Sequence, residues 1–246
     1  MVGISLAPMN TAVHAGYLTG EFGREKLIEY NFSAKFQYGD SDLLNVLSFS
    51  EEDSTVIGAN PFAVVLMNSL LPVGMRTASP ADLEKMLHAG VDFRGSIIDS
   101  AIVLRNLEKH NSYLSNDIFA QLKRINPNVK LPQMIPLSAF KLKLDQDSPY
   151  PYSGLGLELV DGKQSMYVPI LNEETATFES ENIDLNTGLP NKLGSGTRKL
   201  WTIADGLSWM TLLHDGDWAS DYVALGKSPK CRIVVVADSD LGAGKN

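Results

Sequence analysis

The sequence predicts a mixed α+β fold, and three observations predict it. Helix punctuation concentrates before residue 127, where Asn60-Pro61, Ser79-Pro80 and Asn126-Pro127 mark starts and stops. From Pro132 onward the apolar residues alternate or run in short blocks, as strands do. The chain has 246 residues, 44% hydrophobic and 20% charged, an ordinary globular composition with enough length for one large core or two modest ones. Residues 1–79 read as an N-terminal portion, either separate or part of the same domain, and 80–246 as the main domain.

The elements follow in order. Leu27 to Tyr38 places Ile28, Tyr30, Phe32 and Phe36 at even spacing, which predicts a strand with one buried face. Asn60 is an N-cap and Pro61 a first helical residue for a short, mostly buried helix over Phe62 to Leu71, stopped by Pro72; a buried strand is the alternative. A second helix starts at Ser79-Pro80, carries Asp82 and Glu84 in its first turn, buries Leu83, Met86 and Leu87, and ends at Gly90 after His88. Ile97 to Leu107 fits an amphipathic helix or a buried strand over Ser100 to Arg105. A further helix begins at Asn111-Ser112 or Ser115, runs through Ile118, Leu122 and Ile125, and stops at Asn126-Pro127. Phe140 to Leu144 alternates as a strand. Leu155 to Val160 and Gln164 to Ile170 flank Asp161-Gly162 and read as a hairpin. Arg232 to Ala237 is an apolar run typical of a central strand.

Charge and composition narrow the function. Lys+Arg number 21 against 29 Asp+Glu, a net charge of -8, so a duplex-binding surface is not expected. The single cysteine, Cys231, permits no internal disulfide and reads as a small buried hydrophobe before the last strand. Met1 to Tyr17 does not resemble a secretory signal, and no apolar run is long enough to span a bilayer. A cytoplasmic or virion-associated protein is expected.

Motifs for catalysis and cofactors are missing. The four histidines, His14, His88, His110 and His214, are scattered without a second ligand at helical spacing. There is no Gly-x-Ser-x-Gly elbow, and Gly194-Ser-Gly196-Thr-Arg-Lys199 lacks the spacing of a phosphate loop. Asp184-Leu-Asn186-Thr-Gly188 reads as a turn, with calcium left open. His88 is best explained by the dipole at its helix end. No cofactor and no catalytic residue are expected.

The segment Trp201 to Lys230 stands apart because it holds all three tryptophans, interleaved with charges and without a sustained period. Rigid aromatics flanked by short polar residues are what recognition surfaces use. Trp201, beside Leu200 and Ile203, reads as core. For Trp209 and Trp218 both a core and a surface position stay open.

The blocks Ile135-Pro-Leu-Ser138, Leu144-Asp-Gln-Asp-Ser-Pro-Tyr150, Pro169-Ile-Leu-Asn172, Asp184 with Thr187-Gly-Leu-Pro190, Gly206-Leu-Ser208 and Arg232-Ile-Val-Val-Val236 together resemble variable proteins of diversity-generating retroelements, of archaeal or viral type. The resemblance covers about Asp99 to Ala237. It implies a C-type lectin fold in its formylglycine-generating-enzyme-like branch, with a hypervariable region just before the last strand. In such proteins an error-prone reverse transcriptase copies a template repeat, altering its adenines, into that region. Gly206 to Ser208 and Arg232 to Val236 would then be scaffold, completed by Leu207, Met210 and Leu212. Trp209, Thr211, Leu213, His214, Asp215, Asp217, Trp218, Ala219, Asp221, Tyr222, Val223, Lys227 and Lys230 would be the diversified, ligand-binding positions, about 209–230. The pattern departs at Cys231, where glycine is expected, and around Gly216 to Trp218, which lacks an apolar anchor. The partner implied is an unknown protein or other macromolecule, not nucleic acid; oligomeric state is open. A phage or viral structural protein without a diversified site, and an enzyme whose site leaves no sequence motif, are the alternatives.

Overall fold

The computed structural model describes residues 13–150, 152–202, 205–222 and 229–238. The chain enters through β1 (Val13–Tyr17) and turns at Leu18 into α1 (Gly20–Gln37). This helix replaces the strand expected over Leu27 to Tyr38. The even spacing there also contains Ile28, Phe32 and Phe36 at four-residue steps, one side of a helix, and Glu, Lys and Ala between them favour that state. Tyr30 and Ala34 face the core, and the Tyr30 hydroxyl donates to the Leu44 carbonyl at 2.8 Å. The other three remain 70%, 60% and 67% exposed, so they form an outward stripe, not a buried face.

A small hairpin, β2 (Ser48–Ser50) with β3 (Thr55–Ile57), precedes α2 (Pro61–Leu70). Here the capping expectation holds: the Asn60 side chain accepts from the Ala63 amide at 2.8 Å, and Pro61 through Met67 are buried. After β4 (Met75–Thr77) comes α3 (Pro80–His88), closed by a reciprocal cap between Ser79 and Asp82. The ambiguous segment resolves as β5 (Ile98–Leu104), whose burial on both faces explains its unbroken apolar run. Next is α4 (Ser112–Ile125), entered through Asn111 at φ 55°.

The β-rich half begins with β6 (Gln133–Pro136), β7 (Phe140–Leu144) and β8 (Leu155–Leu159). The hairpin expected around Asp161-Gly162 does not form. β8 pairs back onto β7, with Phe140 opposite Leu159 and Leu142 opposite Leu157. Their alternation is in phase, so Phe140, Leu142, Leu155 and Leu157 share one buried face. Asp161 instead accepts from the Lys163 amide at 3.0 Å, starting a 3-10 turn over Gly162–Gln164. β9 (Met166–Tyr167) follows and pairs with β6. Then come β10 (Ala176–Phe178), the short pair β11 (Ile183–Asp184) and β12 (Leu189–Pro190), β13 (Arg198–Thr202), β14 (Leu207–Leu212), β15 (Trp218–Tyr222) and β16 (Val234–Asp238).

Seven strands form one curled half-barrel sheet in the order β10-β13-β15-β14-β5-β6-β9. All neighbours are antiparallel except β13 with β15. β16 lies between β1 and β4 in a separate three-stranded sheet. The architecture is thus α+β, and 13–79 contributes two of the three strands around the last one. The β5–β14 pair is the wall between two cores. Ile102, Leu104, Leu207 and Trp209 face α1, α2, α4 and the β7–β8 hairpin, while Ala101, Val103, Met210 and Leu212 face α3, Trp218 and Phe178. β16 divides in the same way, Val235 to the first core and Val234 with Val236 to the second. Among the described residues no helix is long and apolar enough to cross a membrane.

Candidate functional site

The segment singled out by its aromatics folds as β14, a tight turn and β15. Both are interior strands of the sheet; every side chain of β14 is buried, as are those of Trp218, Ala219 and Ser220 in β15. Trp209 is 1% and Trp218 0% exposed, and Thr211 and Ala219 are as deeply buried. These four are therefore framework, a correction of the ligand-facing role expected for them. Trp209 packs edge-on against Phe62, with ring centroids 6.4 Å apart. Thr211 donates to Asp99 Oδ1 at 2.8 Å beside the bulge that shifts register between Met210 and Thr211.

Two buried polar clusters hold these strands in place. In the first, the fully buried Glu84 of α3 accepts from Trp218 Nε1 at 2.6 Å and from both terminal nitrogens of Arg198, at 3.0 and 2.5 Å. Arg198 also donates through Nε to the Gly216 carbonyl at 2.7 Å, so one guanidinium links α3, β13 and the turn. In the second, the buried Arg105 donates to the Leu171 carbonyl at 2.8 Å, Ser208 Oγ at 2.7 Å and Ser220 Oγ at 2.5 Å. Burial lowers its pKa to about 10, against the opposing pull of the Asp221 carboxylate. Asp221 thus faces inward to this arginine, and its Oδ1 is buried without a hydrogen-bond partner. Asp99 is affected in the opposite sense: burial raises its carboxyl to about 6, against the lowering influence of the Thr211 hydroxyl.

The connection between the strands is the exposed part. Leu213 and Asp217 are half-buried, and His214 and Asp215 are exposed. The turn is closed by Leu213 N–H to the Asp217 carbonyl at 2.9 Å and Gly216 N–H to the Leu213 carbonyl at 2.9 Å, with Gly216 at φ 88°. Asp215 Oδ1 accepts from the Asp217 amide at 3.2 Å. Asp217 ties the turn to β13, accepting from the Lys199 amide at 2.7 Å and from Trp201 Nε1 at 3.3 Å. The tryptophan expected to be core is the exposed one: Trp201 is 37% exposed, with Lys199 Nζ 3.4 Å above its ring. The alternation of buried Leu200 with Lys199 and Trp201 on the other face was the sequence feature that marked this.

Of the remaining expected positions, Lys230 is exposed beyond β15, the Tyr222 backbone ends β15, and Val223 and Lys227 lie outside the described residues. Leu207, Met210, Leu212, Val234, Val235 and Val236 are buried as their apolar pattern predicts, and Cys231 is the buried small side chain expected before the strand. Asp184-Asn186 is a turn in which Asp184 Oδ1 accepts from the Asn186 amide at 2.9 Å. Next to the β14–β15 turn lies a cleft of about 280 Å³, lined by Leu87, His88, Ser180, Arg198, Asp215 and Gly216. It joins the end of α3 to the exposed turn, a relation no sequence spacing indicates. No family model, curated protein or solved structure matches the chain in comparisons with known proteins.

Proposed function

We propose that this chain is a receptor-type ligand-binding protein without chemistry of its own, displaying a diversifiable surface on a C-type lectin-like scaffold of the formylglycine-generating-enzyme-like branch. The observation that carries the reading is the contrast inside one segment. Trp209, Thr211, Trp218, Ala219 and Ser220 are buried, two of them fixed by Glu84 and Arg105, while His214 and Asp215 stand exposed between them. A rigid frame with a changeable tip is what a diversified receptor requires, because exposed substitutions change stability by only about 0.5 kcal/mol.

The position of the last strand supports the retroelement resemblance as well. β16 follows the segment directly and sits at the centre of its sheet, which agrees with a variable region placed just before the final strand. Among the residues with described side chains the diversifiable set narrows to Leu213, His214, Asp215, Asp217 and Lys230, bordered by Lys199 and Trp201. Asp221 is set aside because it faces Arg105, and Tyr222, Val223 and Lys227 keep their place from the sequence. The partner is a protein or other macromolecule that contacts this tip.

The test lies in the gene. A near-identical repeat of the codons for Trp209 to Lys230, differing where the template has adenine, should lie downstream beside a reverse-transcriptase gene. The substituted codons should concentrate at the exposed positions and avoid those for Trp218 and Ala219. A locus without such a repeat refutes the reading.

A further inference from the structure

From the cleft beside the turn we infer a site for a primary ammonium group on an apolar stem, such as a lysine side chain presented by a partner. The inference rests on the recognition surface proposed above and names the chemistry of one contact. His88 is the last residue of α3, and its Nδ1 lies 2.9 Å from the Glu84 carbonyl of the same helix. A carbonyl only accepts, so Nδ1 carries the proton, and in the neutral ring Nε2 holds a lone pair on the opposite edge. That ring is 44% exposed and lines the cleft. Asp215 adds a carboxylate that donates nothing, and Ser180 adds a hydroxyl free to accept.

The one cation at the cleft, Arg198, is already neutralised by Glu84 and donates to the Gly216 carbonyl. It leaves little positive charge to repel a second cation. Leu87 and Gly216 complete the walls with apolar surface, suited to methylenes of the stem. The cleft of about 280 Å³ exceeds what one extended lysine side chain fills, and it opens on the exposed turn. An ammonium, with three hydrogens to donate, suits a cleft whose lining carries acceptors on His88, Asp215 and Ser180. An anionic or purely apolar group would leave Asp215 or the His88 lone pair facing an unsuitable neighbour.

The experiment titrates the intact protein with Nα-acetyl-lysine amide and, in parallel, with Nα-acetyl-norleucine amide, which keeps the four stem carbons and lacks the ammonium, following backbone amide shifts. The lysine probe should move the amides of His88, Asp215 and Gly216 saturably, about tenfold more tightly than norleucine. Asp215→Asn and His88→Ala should each weaken it several-fold. The asparagine variant retains an oxygen for the Asp217 amide, so the turn stays folded. Equal binding of norleucine, or no saturable shift, overturns the inference. If turn substitutions abolish capture of a macromolecular partner while the lysine probe leaves the cleft amides unmoved, the cleft inference falls and the recognition surface stands. Lysine binding that survives both variants also overturns it.

Discussion

Glu84 is a charged side chain with no exposed surface, placed where three parts of the molecule meet. It is held by Arg198 and Trp218, so its burial is compensated on both oxygens. Removing it leaves the Trp218 indole N–H and the two terminal nitrogens of Arg198 without their carboxylate, with only the Gly216 carbonyl still held by Nε. Glu84→Ala should therefore cost about 3–5 kcal/mol, read as a lower urea midpoint; an unchanged midpoint would show that water replaces the carboxylate at no cost. Asp99 makes a prediction of opposite character. Its carboxyl titrates near 6 in the folded chain and near 3.8 when unfolded, so the folded state binds the extra proton between those values. Stability therefore falls as pH rises from about 4 to about 6, then levels. Asp99→Asn should remove this dependence and still accept from Thr211; thermal melts across that range decide it, and identical slopes for both proteins would count against the buried-carboxylate account. Neither residue was marked by the sequence. Glu84 read as a first-turn acid and Asp99 as the edge of an ambiguous run, because their partners are 114 and 112 residues away.

The elements divide by how local their causes are. α2, α3 and α4 were legible because caps and prolines act within a few residues, and Asn60 and Ser79 make the bonds their positions imply. Ser79→Ala should cost about 1 kcal/mol by loss of that cap, measurable as a drop in melting temperature; a loss near zero would mean that Asp82 holds the helix start alone. α1 was misread because Ile28, Phe32 and Phe36 fit two periods at once. The Asp161-Gly162 hairpin failed since its dipeptide closes a 3-10 turn, and β8 found a better-matched partner in β7. The β14–β15 segment was singled out by its composition. Composition is silent on orientation, however: Trp201, read as core, lies at the surface, and Trp209 and Trp218, for which both positions were open, lie inside. If the turn is a mere tip on this frame, replacing His214 by Ala and Asp215 by Asn together should shift stability by no more than about 0.5 kcal/mol. A loss of several times that would place the turn within the fold's own support.

At the scale of the molecule, the division at residue 79 does not correspond to a division of the core. β1 and β4 come from the N-terminal portion and flank β16, and α1 and α2 share buried contacts with β5, β7 and β14. Why the two portions belong together could not be read from sequence, since the pairing of Val13 with Asp238 spans nearly the whole chain. Val235 sits at 1% exposure in the middle of β16, opposite Gly16 and Thr77. Val235→Asp should unfold the whole protein, because an unpaired charge there has no route to water; circular dichroism would show loss of helix and strand signal together. Retention of helix alone would reveal two independently folding parts.

The place of β16 has a consequence for inheritance as well as for folding. Ribosomes reach this strand only after translating the tip, and without it β1 and β4 have nothing between them. A frameshift or stop codon in the segment before it erases the strand that lies between β1 and β4. Point substitutions in the turn leave β16 to be made and to take its place between β1 and β4, so the order of elements separates a changed tip from a lost sheet.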